Sequence, residues 1–265
     1  MKRRLLSAFL AVMMVLTMAP VAFAADETHT TSVGSYEELV KAVADASDGD
    51  TIKLANDITL ANTLTIDKNI TLDGQKNTIS GTVSSGSFIS VQIPNDGDFT
   101  MTNCVIVPSG KVTPNAAINL SVNGKVSVTN CKFGAESDTA GYMYNGLEFS
   151  QTYAMGDTNI TGNTFYGGAF RHNCISFYKM AENANINISN NKFVDLNWDT
   201  TNAIRVSNYS SANATITLKG NDYSTHGSDL NKDYAGLLIF QITSNNDNLT
   251  KLNVVVNDLT IKICL

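Results

Sequence analysis

The sequence predicts an all-β protein, a single-stranded parallel β-helix with a short capping helix near its N-terminal end. Two strand patterns that repeat with a shared period predict the coils, and a helix-capping motif ahead of an apolar stripe predicts the helix. Two-residue hairpin turns do not join the strands of either series, which argues against an antiparallel sandwich or propeller.

The first pattern is an alternating strand that turns at an asparagine or glycine and continues for two or three residues. Its clearest copy reads INISNNKF at 186–193, and four more lie at 99–106, 126–133, 159–165 and 216–223. Alternation with period two indicates a strand with one buried face, and Asn tolerates the left-handed backbone of a sharp corner. The copies end at positions 106, 133, 165, 193 and 223, so they recur every 27 to 32 residues, as in a solenoid.

The second pattern keeps the same period between copies of the first. Its members align column by column at 88–91, 117–120, 146–149, 174–177, 203–206 and 237–240. We therefore expect one coil per repeat, with like strands stacked in parallel about 4.8 Å apart.

The whole chain is expected to divide into three parts. Residues 1–24 are typical of a secretory signal: basic residues, an apolar run from Leu5, then small residues ending at Ala24. A membrane anchor is disfavoured because the apolar run is short and Pro20 interrupts it. We expect a flexible lead-in at 25–34 and the β-helix domain at 35–265, with the natural chain continuing past Leu265.

A helix is predicted at 36–46. Ser35 and Glu38 fit a capping box, and Leu39, Val40 and Val43 form an apolar stripe. One end of a β-helix exposes apolar side chains and unpaired backbone, and a helix lying over that end would cover both.

The segments ASDGDTIKL at 46–54, NITLDG at 69–74 and TIS at 78–80 resemble the entry segment of the pectin lyase-like right-handed parallel β-helix superfamily. The segments look like the branch found in exported bacterial surface proteins, and with the repeats the resemblance covers most of 33–256. It implies a right-handed coil. It implies no particular activity, because that superfamily includes lyases, hydrolases, esterases, tailspikes and adhesins without a catalytic centre.

The net charge of the chain argues against two classes of partner, nucleic acid and anionic lipid. The chain has 18 basic and 24 acidic residues and a formal net charge of −6, and three of the basic residues lie in the predicted leader. Such an acidic surface repels nucleic-acid phosphate and anionic lipid. We expect a secreted or cell-surface protein with no nucleic-acid partner and no membrane insertion after signal cleavage.

Three columns of the first pattern have structural interpretations. The corner column requires a residue that tolerates positive φ: Asn103, Asn130, Gly162, Asn190 and Gly220. In the next column, the stacked asparagines can hydrogen-bond their amides from coil to coil: Cys104, Cys131, Asn163, Asn191 and Asn221. The aromatic column is expected to stack in the core, with a carbohydrate-binding platform as the alternative: Phe133, Phe165, Phe193 and Tyr223.

The four cysteines leave two possibilities open. Cys104 and Cys131 share a column, so their Cα atoms are expected about 4.8 Å apart, within the range of a disulfide, yet free buried thiols fit equally well. Cys174 and Cys264 have no evident mates. We expect no essential disulfide and no metal bound by these thiols.

Candidate binding residues lie on the outer face of the second strand family. The outward column is expected to contain Ser90, Asn119, Glu148, Ser176, Arg205 and Ile239, with further polar and aromatic residues in adjacent loops: Tyr142, Tyr144, Arg171, His172, Tyr178, Lys179, Trp198 and Asp199. The predicted ligand-binding set is Asn119, Glu148, Ser176, Arg205, Tyr178, Trp198 and Asp199. This mixture of aromatic, basic and acidic groups would suit a sugar chain.

Evidence for catalysis is weaker. Glycoside hydrolysis needs two carboxyl groups about 5 to 9.5 Å apart, and Glu148 is the only one in the column. The resemblance implies a lyase base, for which Arg205 or Lys179 could serve, and an acid cluster for Ca²⁺ that the column lacks. His172 is expected to be a solvated loop residue.

No cofactor is expected, and Ca²⁺ is the alternative that stays open. A calcium loop at 229–233 has the opening spacing but lacks the glycine at its sixth position, where Tyr234 stands.

The sequence therefore favours an exported bacterial cell-surface β-helix, non-catalytic and adhesin-like, that binds a glycan or a host protein. The alternative is a polysaccharide lyase or glycoside hydrolase acting on the same outer face. A structural spacer in a longer surface protein is a third possibility.

Overall fold

The computed structural model describes residues 28–83, 86–108, 115–137, 143–150, 153–197, 201–208, 213–226, 238–242, 253–257 and 260–263. The predicted leader, the calcium-like segment at 229–233, and the residues Tyr142, Trp198, Asp199 and Cys264 lie outside the described residues.

The predicted parallel β-helix is confirmed, because all the strand pairs of the described residues are parallel and form three sheets. Sheet A contains β1 (Thr30–Val33), β2 (Thr51–Leu54), β5 (Thr71–Asp73), β8 (Phe99–Thr102), β11 (Val126–Thr129), β14 (Thr158–Thr161), β17 (Asn185–Ser189), β20 (Thr215–Lys219) and β23 (Asn253–Asn257). Sheet B contains β3 (Ile58–Leu60), β6 (Thr78–Gly81), β9 (Val105–Pro108), β12 (Lys132–Phe133), β15 (Thr164–Tyr166), β18 (Lys192–Asn197), β21 (Asp222–His226) and β24 (Thr260–Ile263). Sheet C contains β4 (Leu64–Ile66), β7 (Ser87–Ile93), β10 (Ala116–Val122), β13 (Met143–Phe149), β16 (Phe170–Phe177), β19 (Asn202–Asn208) and β22 (Leu238–Ile242).

Each coil runs through sheets A, B and C in turn, so the structure has three strand families where the sequence indicated two. The first pattern bends at its corner residue, which places its alternating half in sheet A and its last residues in sheet B. The second pattern forms sheet C. Its predicted alignment is confirmed: Ile118 pairs with Leu147, Leu147 with Ile175, and Ile175 with Ile204.

The corners between sheets A and B have the predicted left-handed backbone. Asn103, Asn130 and Asn190 have φ of 54°, 54° and 55°, and Gly162 and Gly220 have φ of 71° and 61°. A non-glycine residue is rare in this region, and Asn is among the few that tolerate it. The corner column is therefore fixed by backbone conformation.

The predicted amide ladder lies directly inside these corners. Asn163 donates from its side-chain amide to Oδ1 of Asn191 at 3.0 Å, and Asn191 donates to Oδ1 of Asn221 at 3.0 Å. The same oxygens accept the backbone N–H of the residue one coil earlier, at 2.9 and 3.0 Å. These buried amides thus satisfy one another from coil to coil, as buried polar groups must.

The aromatic column stacks inside the β-helix. Ring centroids are 4.8 Å apart between Phe133 and Phe165, 5.2 Å between Phe165 and Phe193, and 4.9 Å between Phe193 and Tyr223. All four side chains are buried, so the alternative of a carbohydrate-binding platform is wrong for these residues.

The helix α1 (Tyr36–Asp45) forms where the capping motif predicts it, and its own side chains Leu39 and Val43 are buried. Ser35 Oγ accepts the backbone N–H of Glu38 at 3.2 Å, while the Glu38 carboxylate accepts the N–H of Gly34 at 2.7 Å instead of that of Ser35. The helix contacts β1, β2 and β3, the first strands of the coil.

Part of the expected flexible lead-in is ordered. Residues Thr30–Val33 form β1 and pair in register with β2, and Val33 is buried. The short polar segment is held there because a strand at the open edge of sheet A finds backbone partners.

Candidate functional site

The outer face of sheet C contains the predicted polar column. Backbone pairing places Ser90, Asn119, Glu148, Ser176, Arg205 and Ile239 in one register. Adjacent members lie one coil apart, so the backbones of Glu148 and Arg205 are separated by about 10 Å. This column is the framework of the candidate site.

Glu148 is the centre of the column. Its Oε1 accepts a hydrogen bond from the side-chain amide of Asn119 at 3.0 Å, and its Oε2 accepts one from the side-chain amide of Asn145. Partial burial raises the pKa of Glu148, and the two amide hydrogen bonds oppose that shift because they favour the ionised form. The carboxylate is therefore fixed in orientation while part of it remains exposed.

A second amide ladder, which the sequence patterns above did not predict, supports this carboxylate. Asn202 donates to Asn173 at 2.9 Å, Asn173 donates to Asn145 at 2.7 Å, and Asn145 donates to Glu148. The available signal was an asparagine three residues before each outward residue of three successive coils: Asn145 before Glu148, Asn173 before Ser176 and Asn202 before Arg205.

A basic and aromatic cluster lies beside the start of strands β13 and β16. The rings of Tyr144 and His172 are 4.8 Å apart, and the guanidinium carbon of Arg171 is 5.9 Å from the Tyr144 ring centroid. The prediction that these residues lie in loops is wrong, because Tyr144 belongs to β13 and both others to β16. Pairing of the two strands brings them together.

The positive charges of Arg171 and Arg205 act on the His172 side chain. Partial burial lowers the pKa of His172, and the positive charges of Arg205 and Arg171 lower it further. These are the only arginines of the chain outside the predicted leader. The imidazole, the two guanidinium groups and the Tyr144 ring thus form one region of sheet C that is suited to an acidic or polar ligand.

Ser176 differs from its prediction as an exposed ligand-binding residue. It occupies its place in the column between Glu148 and Arg205 but is fully buried, and its hydroxyl has no hydrogen-bond partner among the described residues. Arg205 donates from Nε to the hydroxyl of Ser207 at 3.0 Å, which fixes its side chain along the strand.

Tyr178 and Lys179 follow the last residue of β16, at the opposite end of that strand from His172. The backbone N–H of Tyr178 donates to Phe149 at 3.1 Å, and the carbonyl of Lys179 accepts from Met155 at 3.3 Å. The strand therefore separates Lys179, a weak candidate for a catalytic base, from the cluster around His172.

The carboxylates of Asp157 and Asp195 lie outside sheet C. Asp157 precedes sheet A and accepts the backbone N–H of Asn185 at 2.8 Å, and Asp195 belongs to β18 of sheet B. Neither of these two residues supplies the second carboxyl group that glycoside hydrolysis requires on sheet C.

The described residues also bear on metal binding and on membrane crossing. They contain no group of three or more His, Cys, Asp or Glu side chains arranged to hold a metal ion. Within the same part of the chain, no helix has the length and apolar character needed to cross a bilayer.

Comparison with known proteins supports the fold. No protein-family model and no curated protein sequence match the chain. Among solved structures it is similar to the PL6 family alginate lyase AlyGC, with a TM-score of 0.51 and 12% identity over 92% of this chain and 40% of that one. It is also similar to L. reuteri 53608 SRRP, with a TM-score of 0.39 and 16% identity over 88% of this chain and 98% of that one. At these identities the likeness to AlyGC shows a shared β-helix fold.

Proposed function

We propose that the protein is an exported bacterial surface protein of the pectin lyase-like superfamily that binds a glycan on the outer face of sheet C without cleaving it. The observation that carries this proposal is the oriented carboxylate of Glu148, held by Asn119 and Asn145. A carboxylate that is already ordered loses little conformational freedom when it accepts hydrogen bonds from sugar hydroxyl groups.

The neighbouring cluster supplies the other contacts that a sugar chain needs. The Tyr144 ring offers an apolar face, and Arg171 and Arg205 offer planar, charged hydrogen-bond donors. Since the column extends along the coil axis, a linear glycan could contact several coils at once. The signal-like sequence at 1–24 supports the exported part of the proposal.

A host protein is the alternative partner of the same face. We favour a glycan because the contacts are polar and aromatic and follow one narrow column, whereas stable protein interfaces usually bury about 800 Å² on each partner.

The raised pKa of Glu148 favours one second candidate, a polysaccharide-degrading enzyme. A carboxyl group whose pKa is raised by burial can act as a general acid. A glycoside hydrolase needs a second carboxyl group nearby, and a lyase needs a base, for which Arg205, His172 or Lys179 would have to serve.

A panel of neutral, uronate-containing and sulfated polysaccharides tests the proposal. The mature chain is titrated with each polymer by isothermal calorimetry, and the same mixtures are assayed for reducing ends and for the ultraviolet absorbance of unsaturated uronate. We expect saturable binding to at least one polymer and no product. Product formation would favour the enzyme, and lack of binding across the panel would reject the glycan proposal.

Two alanine variants separate the candidates further. Glu148→Ala and Arg205→Ala are expected to weaken glycan binding, with Lys192→Ala on sheet B as the matched control. If product forms, loss of turnover in the first two variants would assign Glu148 and Arg205 to the reaction, and unchanged turnover would remove them from it.

A further inference from the structure

Cys104 and Cys131 lie directly above one another on successive coils. Their register is fixed by the pairing of β9 with β12 and by a 2.8 Å hydrogen bond from the N–H of Lys132 to the carbonyl of Cys104. Both residues follow a corner asparagine of the same φ, so their side chains leave the backbone in the same direction. Their Cα atoms are thus about 4.8 Å apart, within the range that a disulfide accepts.

The two thiols have equivalent surroundings. Cys104 Sγ lies 3.4 Å from the carbonyl oxygen of Thr102, and Cys131 Sγ lies 3.3 Å from that of Thr129. Contact with the Cys131 thiol raises the pKa of Cys104, and burial raises it further. Both cysteines are free and buried in the structure.

Cys104 and Cys131 occupy the column that contains the asparagine ladder on later coils. On later coils the same position is asparagine, whose amide binds the next asparagine and so ties coil to coil. On the other side of Cys104, a Cβ on Gly74 would lie 2.7 Å from the Cys104 sulfur, so the glycine leaves room for that sulfur. At these two coils the pair of thiols takes the place of an amide–amide bond.

We propose that Cys104 and Cys131 form a disulfide between successive coils when the chain folds in an oxidising compartment. This inference rests on the export part of the proposed function and is independent of glycan binding. The bond would join the coils covalently at the point where the asparagine ladder stops.

The oxidant is a small-molecule or protein disulfide. One cysteine thiolate attacks it, forms a mixed disulfide and releases one thiol of the oxidant. The second thiolate then attacks the sulfur of the first cysteine, which forms the Cys104–Cys131 bond and releases the second thiol. Two protons leave the cysteines and two electrons pass to the oxidant. Burial makes the folded thiols slow to react, so the bond forms during folding.

Refolding of the full mature chain in a glutathione redox buffer tests the proposal. After alkylation in denaturant, intact mass and peptide mapping are expected to show one disulfide that joins Cys104 to Cys131, with Cys174 alkylated. The oxidised protein should melt at a higher temperature than protein refolded with a reductant, since a crosslink restricts the unfolded chain. The bond should also resist reductant until the protein unfolds.

Variants supply the controls. Cys174→Ala lies outside the column and should keep the bond, whereas Cys104→Ala and Cys131→Ala should each lose it. If these last variants fail to fold, the peptide map of the unaltered chain still shows whether Cys104 is joined to Cys131. Alkylation of both column cysteines after oxidative refolding, or a disulfide to Cys174 or Cys264, would overturn the proposal. Glycan binding by the reduced protein would leave the proposed function standing in either case.

Discussion

The side-chain amide of Asn119 donates a 3.0 Å hydrogen bond to the carboxylate of Glu148, one coil and 29 residues further along the chain. This contact exists because β10 and β13 pair in register. It orients a partly buried carboxylate on an otherwise polar outer face. The chemistry of the candidate site depends on it, and the first prediction below concerns the same carboxylate.

Glu148 is expected to make stability depend on pH. Because burial raises its pKa in the folded state, the folded protein holds this proton more tightly than the unfolded chain, so the contribution of Glu148 to stability is greatest when it is protonated. Its contribution should therefore fall as pH rises from the unfolded pKa through the folded pKa. Denaturant unfolding measured across this range should show a component that is absent in Glu148→Gln.

Glu136 is an exposed carboxylate beside sheet B, so Glu136→Gln is the control for that measurement. This variant should keep the pH-dependent component of the unfolding free energy. A Glu148→Gln variant whose stability follows the same pH profile as the unaltered protein would contradict the assignment.

Arg205 is expected to contribute to binding of acidic glycans. Arg205→Gln removes the charge while keeping a similar length, and loss of a charged hydrogen bond should weaken binding by about tenfold or more. Calorimetric titration with an acidic and a neutral polymer should show a larger loss for the acidic one, and a weaker salt dependence. Lys192→Gln, on the outer face of sheet B, should leave both affinities unchanged; an equal loss there would indicate a non-specific charge effect.

Asn191 is expected to be one of the most sensitive positions of the coil. Asn191→Ala removes an amide that donates to Ile160 and Asn221 and accepts from Asn163, which should lower the free energy of unfolding by about 2–5 kcal/mol. Asn187→Ala is the matched control, because that partly exposed amide can be replaced by water and should cost less than about 1 kcal/mol. Equal losses in urea unfolding would argue against the buried ladder as a stabilising feature.

The corner at Asn130 is expected to prefer glycine to alanine. Its φ of 54° lies in the left-handed region, so Asn130→Ala should be less stable than Asn130→Gly by about 1 kcal/mol. At Asn159, in the extended strand β14, the order should reverse, since glycine weakens a strand. Thermal unfolding of the four variants checks this, and the same order at both positions would show that backbone conformation is not the cause.

Tyr223 is expected to tolerate loss of its hydroxyl. The side chain is fully buried, stacks on Phe193, and its hydroxyl has no hydrogen-bond partner among the described residues. Tyr223→Phe should therefore raise the free energy of unfolding by about 1 kcal/mol, because an unsatisfied buried hydroxyl is removed. Chemical denaturation checks this, and Tyr166→Phe, at a partly exposed residue, is the near-neutral control.

The same burial affects titration of this phenol. It raises the pKa of Tyr223 to about 12, so in a spectrophotometric titration one tyrosine should ionise late, and that late step should be missing in Tyr223→Phe. Stability should fall as pH rises from the ordinary tyrosine pKa towards this value, since the unfolded chain loses the proton first. A marked destabilisation of Tyr223→Phe would mean that the hydroxyl has a partner.

Local sequence patterns determined most of the fold. The period-two alternation of apolar residues, the requirement for Asn or Gly at corners such as Asn130 and Gly162, and the stacking of like residues are properties of single coils, and repetition made them visible. The column Asn119, Glu148, Ser176 and Arg205 followed from the same alignment. The capping helix could be located because its signal lies within four residues.

The tertiary structure alone decided what those residues do. Asn119 reaches Glu148, Tyr144 lies against His172, and Ser176 is covered, because side chains from different coils share space that depends on backbone bends and bulges between strands. One such bulge lies between β13 and β16, beside Asn145. A repeat in the sequence fixes which residues are stacked, whereas burial, hydrogen-bond direction and pKa depend on three-dimensional neighbours that no single repeat contains.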